Sequence, residues 1–172
     1  ALFLWYTLLK NPKGEIKMAL MVVGQDDGYK NGDVKFMHNT SGETTCDMYY
    51  DGKWFTGHAK CLPEDMDMWS ERTGSTLAEI KANIKRLKYM RNQVREQLKP
   101  LELFQKRLEC CKNYNNTSFE ARRLRKEIWL YKEEIQEITN AINDEEQYLK
   151  KYIAEKDDLY YRIRAKRANE NN

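Results

Sequence analysis

Two runs of residues at heptad spacing, one on each side of a short Asn-rich break, pair off in reverse order. Leu77, Ile80, Ile84, Leu87, Arg91, Val94, Leu98, Leu101, Gln105 and Leu108 alternate in steps of three and four. Ala121, Leu124, Ile128, Tyr131, Ile135, Ile138, Ile142, Glu145, Leu149 and Tyr152 do the same. A repeat of this kind keeps one stripe of a helix turned toward a partner helix. Two such helices, joined by Lys112-Asn-Tyr-Asn-Asn-Thr117, fold back as an antiparallel coiled-coil hairpin. More than half of the chain is thereby committed to an extended rod with little room for a pocket.

The register follows from the reverse order. Leu108 falls beside Leu124, Leu101 beside Tyr131, Val94 beside Ile138 and Ile80 beside Tyr152. Between these layers Gln105 meets Ile128, Leu98 meets Ile135 and Ile84 meets Leu149. Charge points the same way: residues 81–99 are strongly basic, and their counterpart, 133–151, carries Glu133, Glu134, Glu137, Asp144, Glu145 and Glu146. Pairing these blocks favours the hairpin over a parallel homodimer, which would set like charges side by side. Two charged residues sit within the seam, Arg91 opposite Ile142 and Glu145 opposite Leu87. They are expected either to approach each other or to extend to its edge.

Helix limits are read from capping patterns. Thr76-Leu-Ala-Glu79 and Thr117-Ser-Phe-Glu120 both fit a capping box. The expected helices are about 76–112 and about 118–167, with the tip at about 113–117. Pro100 lies inside the first; it removes one backbone hydrogen bond and predicts a kink near Gln97, with a break into three helices as the alternative. The second helix outruns the first, so Leu159, Tyr160 and Ile163 need another surface, either the small sheet or a second copy.

Glycine is absent after residue 74, which marks a compositional boundary. The predicted organisation is a small β-rich domain over 1–74 and the hairpin over 75–172, an α+β chain. The first part carries 8 Lys/Arg against 11 Asp/Glu and the second 22 against 16, so the formal +3 is a cancellation of opposite excesses. Predicted strands are Phe3–Leu9, Ile16–Val23, Val34–Met37, Thr44–Tyr50 and Trp54–Thr56. They are separated by turns at Asn11-Pro-Lys-Gly14, Asn39–Gly42 and the two-residue Asp51-Gly52. They should form a curled antiparallel sheet or a partly open barrel, with Trp5, Tyr6, Tyr49, Tyr50, Trp54 and Phe55 serving mainly as core. A segment of this size has a marginal core and should lean on the base of the rod.

Chemistry-bearing constellations are few. His38, Cys46, His58 and Cys61 have the right number and softness for a tetrahedral zinc, yet lack the second closely spaced ligand pair of most structural sites. The expectation is no metal, no cofactor and no Cys46–Cys61 disulfide. Nucleotide loops, nucleophile elbows and metalloprotease motifs are missing, and the Cys and His residues have no evident orienting third group. The chain is therefore expected not to be an enzyme. Adjacent Cys110 and Cys111 are poorly placed to bridge each other. Reduced thiols and the lack of an apolar run of about 20 residues point to a cytoplasmic protein without a membrane span. Sequons occur at Asn39, Asn115 and Asn116, and the start at Ala1 suggests processing.

Two functional classes remain. The first is a protein-binding module, an adaptor, assembly factor or inhibitor, that self-associates through its coiled coil or forms a homodimer; a small viral protein would suit this size. Its candidate contacts are Tyr114, Phe119 and Trp129 on the outer and tip surfaces, the basic cluster Arg122, Arg123, Arg125 and Lys126, and the overhanging Leu159, Tyr160 and Ile163. The second is nucleic-acid binding through those basic clusters, with a purely structural oligomer as the plain alternative.

Overall fold

The computed structural model describes residues 5–10, 16–21, 29–39, 41–111 and 115–170. They belong to two compact units, 1–30 and 31–172. The first contains an antiparallel pair, β1 (Trp5–Lys10) and β2 (Ile16–Met21), in register from Trp5 opposite Met21 to Lys10 opposite Ile16. The proposed turn at Asn11–Gly14 lies outside the described residues.

In the second unit, β3 (Val34–His38), β4 (Glu43–Tyr50) and β5 (Lys53–Lys60) form an open antiparallel sheet in the order β3-β4-β5. The sheet does not close into a barrel. Asp51 and Gly52 both have positive φ, 51° and 73°, the two-residue turn whose twist matches that of its flanking strands. Between β3 and β4, Asn39 Oδ1 accepts from the backbone N–H groups of Ser41 and Glu43.

A short 3₁₀ turn, Pro63–Asp65, leads into two long helices, α1 (Glu71–Glu109) and α2 (Phe119–Glu170). Helix α1 begins five residues before the Thr76 start suggested by its capping pattern. Ser70 is the cap and accepts from Thr73 N–H at 3.1 Å, whereas Thr76 lies within the helix and donates to the Arg72 carbonyl. At the second start Ser118 accepts from Ala121 N–H, while Thr117 donates its hydroxyl to Asn115. Pro100 does not break α1, which continues through it to Glu109. Its ring is exposed, and Leu98 and Leu101 on either side are held in the seam cluster, so the one lost hydrogen bond is tolerated.

Helix α1 is the central element, packed on β4 and β5 along one face and on α2 along another. The face toward the sheet is a stripe of small residues, Gly74, Ala78 and Ala82, spaced by four. A Cβ on Gly57 of β5 would fall 1.9 Å from the Ala78 carbonyl oxygen, and one on Gly74 would fall 2.3 Å from Thr44 Oγ1. This close approach buries Cys46, Met48 and Ala59 against Ala78 and Ala82, with Val34, Trp69 and Leu77 around them. Small residues under the helix also account for β5 reaching Lys60, past the Thr56 end expected from propensity alone. The compositional change near residue 74 thus marks the start of the helices, inside a unit whose sheet and hairpin share a core.

The seam has the layers read from the heptads. Leu98, Leu124 and Ile128 cluster with Leu101, Leu108, Tyr131 and Ile135; Val94, Ile138 and Ile142 cluster with Leu87, Met90, Tyr131 and Ile135.

Candidate interaction surface

Heptad positions place every hairpin side chain relative to the seam. With seam residues at a and d, Lys88 and Glu146 both occupy e, as do Glu102 and Lys132. These pairs bridge the helices at 2.8 and 2.9 Å, so the e positions of α1 and α2 share one broad face. The g positions share the other. A groove of about 750 Å³ opens there between the helices, lined by Thr76, Asn83, Ala141 and Tyr148 at g, with Glu79, Asp144, Glu145 and Met48 beside them. A second groove, about 420 Å³, lies on the e face among His58, Lys81, Lys85, Lys88 and Glu146.

This geometry changes the reading of the charges. Among the described residues of the basic stretch 81–99, Lys88 is the one that forms a salt bridge with α2. Lys81 and Lys85 instead donate to the carbonyls of His58 and Thr56, at 2.8 and 2.6 Å, covering the outer side of edge strand β5. Glu133, Glu134, Glu137 and Asp144 occupy f, g and c positions, turned away from the e-face lysines. Glu146 is the exception, and the neighbouring Lys88 ammonium holds its carboxyl below the usual range. The opposing blocks are thus mainly segregated onto different faces of the rod.

Arg91 and Glu145 do not pair. Glu145 Oε1 accepts from Asn83 Nδ2 at 2.7 Å, while Arg91 Nε is buried without a hydrogen-bond partner among the described residues.

The sequence-derived contact residues separate into three groups. Tyr114 lies outside the described residues. At the distal end Phe119 and Trp129 are 69% and 55% exposed, and Arg122, Arg123 and Lys126 are exposed beside them. Arg125 is taken up by the tip, its guanidinium bonding both Oδ1 and the carbonyl of Asn116. The third group is the overhang of α2. There Tyr160 is buried beside Thr73, and burial pushes its hydroxyl pKa up; Leu159 remains 44% exposed and Ile163 half-buried. Arg164 reaches Asp65 at 3.1 Å, and Arg167 bonds Asp67 and holds that carboxyl below its usual range. The overhang therefore docks on the 3₁₀ turn and the start of α1. There the buried residue is Tyr160 at e rather than Leu159 at d, because α2 meets the first turn of α1 at Thr73 instead of continuing the a/d seam.

Sequence reasoning missed Leu103, Phe104 and Leu130, each more than half exposed in the distal half. Their signal was available: they are large apolar residues at f, g and c, outside the seam.

The proposed metal set does not converge. Thr44 and Cys46 share the face of β4 turned to α1, with His38 opposite Thr44; His58 is opposite Thr45 and lies on the other face. Cys46 is wholly buried with its thiol pKa raised to about 11 by burial, and both it and Cys61 are free. Among the described residues no cluster of three His, Cys, Asp or Glu could hold a metal ion, and no helix is long and apolar enough to cross a membrane.

The fold defines an α+β protein in which a small open sheet braces an antiparallel helical hairpin. Comparison with protein-family models, with curated proteins and with solved structures finds no match.

Proposed function

We propose that this chain is a non-enzymatic protein-binding module whose docking surface is the distal half of the hairpin. The observation that carries this reading is the set Leu103, Phe104, Phe119, Trp129 and Leu130, all more than half exposed on the stretch beyond the sheet. A monomeric rod gains nothing from that much exposed apolar surface, whereas a partner gains anchors, with tryptophan among the most effective. The sheet acts as a brace: Lys81 and Lys85 fasten β5 to α1, and Arg164 and Arg167 fasten α2 to the turn before α1. Both ends of the hairpin base are thereby held while the tip projects. Free thiols at all four cysteines support a reducing, cytoplasmic setting.

The test is photo-cross-linking in cells from positions 104 and 129, compared with position 155 on the exposed side of the overhang. A discrete adduct from the distal positions, lost when Leu130→Glu is added without a change in thermal melting, is the expected result. Equal labelling from all three positions overturns the reading.

Segregation of bases on the e face favours nucleic acid as a second reading. It predicts binding of a labelled single or double strand at about 50 mM salt that weakens steeply as salt rises. No binding at low salt removes it.

A further inference from the structure

We infer that the docking partner of the distal hairpin is a second copy of this chain, laid with its acidic g face on the basic e face of the first. The inference rests on the protein-binding reading above and names its partner. On the distal e face and its adjoining b positions stand Arg95, Lys99, Lys106, Arg122 and Lys132 against Glu102 and Glu109. Lys132 is paired with Glu102 and Lys99 with Glu96, which leaves Arg95, Lys106 and Arg122 as the main excess of base. On the g face and its adjoining c positions stand Glu120, Glu127, Glu134 and Glu137, interrupted toward the tip by Arg107 and Arg123. Both rows occupy the same height of the rod, because α1 residues near 100 lie beside α2 residues near 132 in the seam. Each face also carries an exposed apolar anchor at one level: Trp129 on the first, Phe104 and Leu130 on the second.

Charge decides the geometry. Two e faces together would set base against base, so a two-fold symmetric contact is opposed and the e-on-g contact is favoured. Such a contact is heterologous: each copy keeps one free face, and association continues beyond a dimer unless it closes into a ring. The faces available are about 30 Å long and about 20 Å wide, some 1,200 Å² buried over both copies, at the low end for specific association. A surface of that size joined through exposed charges should be sensitive to salt. Nucleic acid is the less favoured occupant, because the acidic g face of the same rod would repel it.

Sedimentation of the full chain at about 20 mM and about 500 mM salt tests the inference. The expected result at low salt is a weight-average mass that rises with concentration past that of two chains, returning to one chain at high salt. The variant Arg95→Glu/Lys99→Glu/Arg122→Glu, and separately Glu127→Lys/Glu134→Lys/Glu137→Lys, should each stay monomeric with an unchanged helical circular dichroism spectrum. Mixing the two variants should restore association, because each reversed face then meets its complement. A wild-type monomer at low salt overturns the inference, as does a dimer that never grows or a mixture that fails to associate. If the chain is monomeric but distal cross-links to a different protein persist, the protein-binding reading survives and this one does not. If a labelled oligonucleotide binds the monomer and the basic-face variant abolishes that binding, the e face belongs to nucleic acid and the inference fails.

Discussion

Gly57 of β5 lies directly beneath Ala78 of α1, so close that a Cβ on the glycine would fall 1.9 Å from the Ala78 carbonyl oxygen. The obstacle is backbone, so relief requires the helix to lift from the sheet. Gly57→Ala should therefore destabilise the second unit by about 1–3 kcal/mol, the usual cost of overpacking a fitted core. Urea unfolding followed by circular dichroism reads the change; an unaltered midpoint would show that the helix is not seated on β5.

The seam carries a buried polar atom without a hydrogen-bond partner among the described residues, Arg91 Nε, at a heptad position opposite the buried Ile142. Replacing Arg91 by Leu should raise stability by about 1 kcal/mol, since an unpaired buried donor is removed and apolar packing is added. Glu146 keeps its Lys88 partner in that variant. Ile142→Ala, which removes a buried member of the cluster with Val94 and Ile138, should cost about 2–5 kcal/mol. Thermal melts of the two variants should move in opposite directions.

Tyr160, Arg164 and Arg167 tie the end of α2 to Thr73, Asp65 and Asp67. Tyr160→Ala should release that end without unfolding the seam. Amide hydrogen exchange should accelerate at least tenfold over 157–168 and remain unchanged around 128–142, as expected for a local opening. Acceleration along all of α2 would mean that the dock supports the whole hairpin.

Thiol chemistry should divide the cysteines into two pairs. Cys110 and Cys111 are exposed, so Ellman's reagent should modify them at once in the native protein; Cys46 and Cys61 are buried and should wait for unfolding. The Cys46 thiol is raised from 9.0 to about 11 because burial disfavours the thiolate. A group more acidic in the unfolded chain stabilises the fold fully below pH 9.0, and that contribution is lost as pH rises toward 11. Cys46→Ala should therefore flatten the fall in stability between those pH values, measured by denaturation at intervals across the window.

Much of this architecture is written locally. The a and d residues set both the existence and the register of the hairpin, since an antiparallel fold-back of the two heptad runs sets their apolar residues against one another with Arg91, Gln105 and Glu145 as the polar exceptions. Asp51-Gly52 specified its hairpin turn because few residue pairs accept two positive φ values. The small stripe Gly74, Ala78 and Ala82 was equally visible as a spacing of four. It acquires meaning only beside Gly57, because a helix face free of side chains invites any flat surface to approach. Ser70 displaced Thr76 as the cap for a similar reason: both residues are competent, and packing of Trp69 in the core selected the earlier start.

What tertiary structure alone decided is which side of the rod each charge occupies and what the charges meet. Opposing basic and acidic blocks in the sequence suggest partners, yet an antiparallel pair brings e to e and g to g. Most of the acids of α2 consequently face away from the lysines of α1. Lys81 and Lys85 then spend their donors on the free edge of a sheet that precedes them in the chain. Local periodicity depends on residues a turn apart and can be read along the chain. The direction of a side chain relative to a second helix and a sheet depends on how those elements cross, which is settled only when the core closes.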